Sequence, residues 1–153
     1  MLGNLLYAVH VLGAVLWVGG MAFALLCLRP AMAVLEPPQR LALHEGALRR
    51  FFLVVWHAMP ALLLTGWALL FFWYGGFRGA GWHVHLMHLT GLVMAAVFVA
   101  IVLGPWRRFR AALAAGDRAG AATSMDRVRQ MVSLNLGLGL LTVAVAAWGR
   151  FGG

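Results

Sequence analysis

Residues 84–105 read VHLMHLTGLVMAAVFVAIVLGP, a run of 22 residues in which His85 and His88 are the only side chains that ionise near neutral pH. A helix needs about 20 apolar residues to cross a hydrocarbon core of ~30 Å. Similar runs occupy residues 4–28, 51–74 and 130–149. We therefore predict an all-α integral membrane protein, a four-transmembrane-helix bundle that forms one domain over residues 1–153.

The composition agrees with a lipid environment. Hydrophobic residues make up 63% of the chain and charged residues 10%, and the mean hydropathy is +0.89. A soluble domain of this length would not carry so much apolar surface. No basic residue precedes Arg29, so we expect the first run to be a retained membrane helix and not a signal peptide.

Arginine is distributed unevenly among the connections. All 12 basic residues are arginine, and ten of them lie in the connections 29–50 and 106–129. Arg78 and Arg150 lie on the other side of the predicted membrane. Positive charge marks cytoplasmic loops, so we expect both termini outside. Because the arginines flank apolar runs, we do not expect nucleic-acid binding. Residues 39–50 are predicted to form a short amphipathic helix.

The histidines within the predicted membrane helices point to a metal or cofactor. His10, His85 and His88 lie within roughly one helical turn of each other in depth, whereas His57 lies ~25 Å from the outer end of its helix. Ionisable groups inside a membrane are costly and usually functional, and two facing imidazoles can ligate haem iron. The primary prediction is one haem b, with His10 as first axial ligand and His88 as second, and His85 as the alternative.

Small and aromatic residues near these histidines suggest a pocket. Gly13 and Gly91 each follow a histidine by three positions, which leaves a flat space on the same helix face. We predict that Gly13, Gly91, Trp17 and Trp82 line the haem pocket, and that Arg78 or Arg150 pairs with a propionate. Close packing of helices through glycine is the alternative explanation.

Copper is the alternative ligand. His83, His85 and His88, with the thioethers of Met59, Met87 and Met94, supply donors that suit copper. Cys27 is the single cysteine, and we expect it to be a packing residue. Asn135 is placed to hydrogen-bond His57, or to bridge helices without it.

An internal repeat is visible in the odd-numbered helices. Residues 10–15, HVLGAV, are similar to residues 88–93, HLTGLV. The repeat predicts two helical hairpins in parallel arrangement.

Several motifs resemble known families. His10, Trp17-Val18-Gly19-Gly20, Arg29-Pro30, Thr65-Gly66, residues 135–139 (NLGLG) and Gly149-Arg150 resemble the CopD family of bacterial inner-membrane proteins, which implies copper resistance or uptake. The chain more distantly resembles the HemJ type of protoporphyrinogen oxidase, whose haem-ligating histidine matches His10. That family's lysine at the start of helix 3 is replaced by His85, so its role is not carried over.

The predicted function is electron transfer or a redox reaction near the periplasmic face of the bacterial inner membrane, with a quinol or a redox partner protein. The alternative is a copper-handling protein of CopD type, and a third alternative is a structural subunit without a cofactor. The sequence leaves open whether the chain is an enzyme, such as a membrane haem oxidoreductase, and whether it is a homo-oligomer.

Overall fold

The computed structural model describes residues 1–150 and, for Arg150, the backbone alone. Four helices are long and apolar enough to span a membrane: α1 (Leu2–Val34), α2 (Pro37–Trp73), α3 (Trp82–Ala114) and α4 (Arg118–Gly149). No strand occurs among residues 1–150. The predicted all-α, four-helix membrane fold is confirmed.

The helices are longer than the apolar runs, and this corrects the predicted connections. The segment expected as a separate amphipathic helix over residues 39–50 is the first part of α2, which begins at Pro37 and continues unbroken through Pro60. Glu36 and Gln39 cap its start, and the main-chain N–H of Glu36 donates to Oε1 of Gln39 at 3.2 Å. Helix α3 likewise continues through Arg107–Ala114. Capping and helix propensity extend both helices beyond the apolar segment.

Short connections join the helices. At one end of the bundle, residues 35–36 and 115–117 link α1 to α2 and α3 to α4, and we call this the arginine end. At the other, the histidine end, residues 74–81 link α2 to α3 through a short 3-10 turn, Phe77–Gly79. Gly75 and Gly76 adopt φ values of 67° and 94° there, which side chains with a Cβ rarely adopt.

The bundle consists of two hairpins. Helices α1 and α2 share an extensive interface, and so do α3 and α4, whereas the contacts between the hairpins are sparser. A π-helical segment interrupts α1 at Ala24–Leu28 and α3 at Val102–Trp106. The first residues of these segments, Ala24 and Val102, differ in number by 78, as do His10 and His88. This correspondence supports the predicted repeat of two hairpins.

Aromatic side chains pack against one another towards the arginine end. The ring of Phe98 lies 6.2 Å from that of Trp17, 5.8 Å from that of Phe52 and 5.4 Å from that of Trp56, all at steep angles. Trp106 is 5.1 Å from Phe52 and 5.4 Å from Phe109. We call these six residues the aromatic cluster. Because its members come from α1, α2 and α3, it joins the two hairpins.

Candidate metal site at the histidine end

His10 is held in a defined orientation by α2. Its Nδ1 atom lies 2.9 Å from the main-chain oxygen of Leu62 and 3.3 Å from Oγ1 of Thr65. A carbonyl oxygen only accepts hydrogen bonds, so Nδ1 carries the hydrogen and Nε2 keeps a lone pair. The ring lies against Gly66, where an added Cβ would be 2.9 Å from Cε1 of His10. A histidine oriented through one nitrogen is the usual arrangement of a metal ligand that binds through the other.

His88 faces the same region from α3. Its ring lies 5.8 Å from that of Trp67 and 5.3 Å from that of Phe77. Its Nε2 atom is buried and has no hydrogen-bond partner. His10 packs on Gly66 and His88 on the neighbouring Trp67 of α2. The structure thus places both histidines against adjacent residues of α2 at the histidine end.

His85 lies at the edge of this region. It is exposed, and its ring stacks on Phe77 at 5.6 Å with an angle of 24° between the planes. Phe77 therefore contacts both His85 and His88 and links them. Sequence reasoning missed Phe77, Trp67 and Leu62, since nothing in their local pattern distinguishes them from residues that pack in the bundle or face lipid. Thr65 was noted only as part of a family motif, without a role at the site.

His83 belongs to a different interface. Its ring packs against Gly149 of α4, and its Nδ1 atom is buried without a partner. His83 and His85 are two positions apart, a spacing that turns them to different sides of α3. The copper group of His83, His85 and His88 is therefore divided. Within residues 1–150, no three His, Cys, Asp or Glu side chains are arranged to hold one metal ion.

The predicted pocket residues lie in different environments. Gly13 is in close contact with α2, where an added Cβ would be 3.2 Å from Cβ of Leu62 and 3.3 Å from the oxygen of Ala58. Trp17 is 2% exposed and packs in the aromatic cluster. At Gly13 the alternative of close helix packing describes the structure. Gly91, in contrast, is buried with open space where a side chain would be.

Trp82 and the two predicted arginines lie at the periphery. Trp82 is 54% exposed, and its ring is 6.1 Å from that of His83. Arg78 is exposed in the 3-10 turn beside Phe77. The side chain of Arg150 lies outside the described residues.

Deeper polar groups join α3 to α4. The hydroxyl of Thr142 donates to that of Thr90 at 2.7 Å, and Nδ2 of Asn135 donates to the main-chain oxygen of Met94 at 3.3 Å. Asn135 is 1% exposed, and its Oδ1 atom has no partner. Of the two roles expected for Asn135, the structure shows the bridge between helices, from α4 to α3, and not the bond to His57, which lies on the outer surface of α2.

His57 and Cys27 both face outward. Nδ1 of His57 is 2.8 Å from the main-chain oxygen of Leu53, one turn earlier in the same helix. Cys27, which was expected to be a packing residue, is exposed within the π-helical segment of α1 and does not pack inside the bundle. The thioethers of Met59 and Met94 are buried in the core, away from the exposed side chain of His85.

Comparison with known proteins gives a family assignment. A sequence model of the CopD family, described as copper resistance protein D, matches residues 45–149. No curated protein and no solved structure matches the chain. The matched region covers most of α2 and all of α3 and α4, including His85 and His88. The chain belongs to the CopD family of multi-pass membrane proteins.

Proposed function

We propose that this chain handles copper as cargo, and that His10 and His88 bind a monovalent copper ion between the two hairpins at the histidine end. The observation that carries the proposal is the buried, unpartnered Nε2 of His88, whose ring packs on Trp67 next to the Gly66 contact of His10. The Nε2 atom of His10 is left free by the bond from Nδ1 to Leu62. Membership of the CopD family supports the choice of metal.

The energetics favour occupation by a cation. A buried polar atom without a partner costs about 1–3 kcal/mol, and a bound ion would remove that cost at His88. Imidazole suits copper, and monovalent copper accepts as few as two donors. Two histidines therefore suffice, although no group of three ligands exists among the described residues.

His85 is placed to deliver the ion. It is exposed at the end of the bundle and shares Phe77 with His88. An ion captured by His85 can pass to His88 by exchange of one imidazole for another. Towards the arginine end the aromatic cluster packs between the hairpins, so we expect the ion to enter from the histidine end.

The orientation of the bundle in the membrane determines the side from which copper reaches the site. With the arginine-rich connections in the cytoplasm, the histidine end faces the outside of the cell, and in a bacterial inner membrane this is the periplasm. The protein would then receive copper from the periplasmic side.

Copper binding by purified variants tests the proposal. The chain should bind about one monovalent copper ion, and His10→Ala and His88→Ala should each weaken binding by tenfold or more, since loss of a metal-orienting group alone costs 10–100-fold. His83→Ala is the matched control, a histidine at the same end that faces α4, and it should bind as the unmodified chain does. Equal loss in all three variants would show that the assigned site is wrong.

Haem b is the second candidate, favoured by the open space at Gly91 next to the His10 and His88 pair. In that case the chain would serve electron transfer with a quinol or a redox partner protein. The optical spectrum of protein purified after haem-replete expression decides between the two. A Soret band lost in His10→Ala would favour haem, and a colourless protein that binds copper would favour the first proposal.

A further inference from the structure

Five arginines lie at the arginine end, where α2 and α3 leave the apolar part of the bundle. Arg49 and Arg50 directly precede the apolar run of α2, and Arg107, Arg108 and Arg110 follow that of α3. At 1.5 Å per residue, they lie about 2–8 Å beyond the ends of these runs. The headgroup layer on each side of the hydrocarbon core is about 5–8 Å thick, so these arginines lie at the depth of lipid phosphates.

One carboxylate brings two of these arginines together across the hairpins. Oε1 of Glu45 lies 3.9 Å from Nε of Arg49 on α2 and 3.8 Å from Nε of Arg110 on α3. Both distances are too long for hydrogen bonds, and the two arginine side chains are 63% and 59% exposed. The N–H groups of both guanidinium groups are therefore available to an acceptor from outside the chain.

The other three arginines are available as well. Arg50, Arg107 and Arg108 are exposed, and none of them pairs with an acidic side chain among the residues that the structure describes. Arg129 differs, because it pairs with Asp126 at 2.8 Å. Five guanidinium groups thus share one carboxylate, which leaves an excess of positive charge at the depth of the headgroups.

We propose that the phosphate of an anionic phospholipid binds between Arg49 and Arg110 and bridges the two hairpins. Guanidinium groups donate paired hydrogen bonds to phosphate oxygens, and basic pockets between membrane helices bind anionic headgroups. A lipid is the expected occupant because headgroups surround a membrane-spanning bundle at this depth. Direct contacts between α2 and α3 are few, so the bound headgroup stabilises the pairing of the hairpins at this end.

Binding of lipid to purified variants tests the proposal. Native mass spectrometry compares phosphatidylglycerol, which is anionic, with phosphatidylcholine, which has no net charge. Arg49→Gln and Arg110→Gln should each weaken phosphatidylglycerol binding about fivefold, the loss expected for one arginine near an anionic membrane surface. Arg118→Gln is the matched control, since Arg118 is exposed but lies about 18 Å beyond the apolar run of α4, and it should bind as the unmodified chain does.

Glu45→Gln should have the opposite effect. It removes the negative charge that competes with the phosphate, so phosphatidylglycerol should bind more tightly than to the unmodified chain. Thermal unfolding in phosphatidylcholine shows whether each variant is folded. Added phosphatidylglycerol should then raise the unfolding temperature of the unmodified chain more than that of Arg110→Gln.

Four results would overturn the proposal. Equal phosphatidylglycerol binding in Arg110→Gln and Arg118→Gln would mean that the attraction is diffuse, and equal binding of the two lipids would mean that charge is not recognised. Weaker binding in Glu45→Gln would contradict the assigned competition. Equal stabilisation by inorganic phosphate would mean that the ligand is not a lipid. None of these measurements needs copper, so they are independent of the proposed function.

Discussion

The orientation of His10 depends on the absence of a side chain at Gly66. An added Cβ there would lie 2.9 Å from Cε1 of the imidazole, closer than real Cβ contacts occur, so the ring would have to leave the position in which Nδ1 meets Leu62 and Thr65. Removing the contacts that orient a metal-bound histidine commonly lowers metal affinity 10–100-fold.

We therefore predict that Gly66→Val lowers copper affinity about 10–100-fold. The control is Gly137→Val on α4, where an added Cβ meets no atom within 4 Å. Competition with a copper chelator of known affinity measures both variants. Equal affinity in the two variants would mean that His10 needs no orientation by α2.

Asn135 is a second residue whose surroundings lead to a prediction, in this case about stability. Its amide is buried among apolar side chains, with one hydrogen bond to Met94 and an Oδ1 atom that has none. Replacing a half-satisfied polar group by an apolar one of similar volume is often neutral or stabilising.

We expect Asn135→Leu to leave the free energy of unfolding in detergent unchanged or raise it by about 1 kcal/mol. Thermal unfolding monitored by circular dichroism checks this. A loss of more than about 2 kcal/mol would mean that Oδ1 has a partner in the membrane, such as a buried water.

At the scale of the helices, glycine decides how closely α1 approaches α2. Gly13 lies against the backbone of α2, at Leu62 and Ala58, whereas Gly19 on the same helix is exposed and meets nothing within 4 Å. A side chain at position 13 would push two rigid helices apart, and overpacking of this kind typically costs about 1–3 kcal/mol.

The prediction is that Gly13→Leu destabilises the protein by about 1–3 kcal/mol, while Gly19→Leu has little effect. Unfolding temperatures in the same detergent compare the two variants directly. If both variants melt alike, the close contact at Gly13 does not hold the first hairpin together.

The helices also show what the sequence can predict and what it cannot. Apolar runs without charge are sufficient to predict four membrane helices, because lipid requires every backbone group to be bonded within its own segment. The grouping of His10, His85 and His88 followed from depth along the helices. Rotation about a helix axis is harder to predict, since a helix surrounded by lipid is apolar on every side. For that reason the directions of His57, His83 and Asn135 were not foreseen.

At the scale of the whole molecule, the distribution of arginine should determine how the bundle inserts. Ten arginines lie towards the arginine end, in Arg29–Arg50 and Arg107–Arg129, and the histidine end carries Arg78 and Arg150. Reporter domains fused at the two termini should both be located outside the cytoplasm. A cytoplasmic reporter at either terminus would place the copper site on the opposite face and contradict delivery from the periplasm.

The pairing of the two hairpins at His10 and His88 is the central claim, and X-ray absorption at the copper edge of protein loaded with monovalent copper tests it most directly. We predict a low-coordinate ion with two imidazole nitrogens as its nearest neighbours, and the loss of one of them in His10→Ala and in His88→Ala. A spectrum dominated by sulfur, or one that is unchanged in both variants, would contradict it.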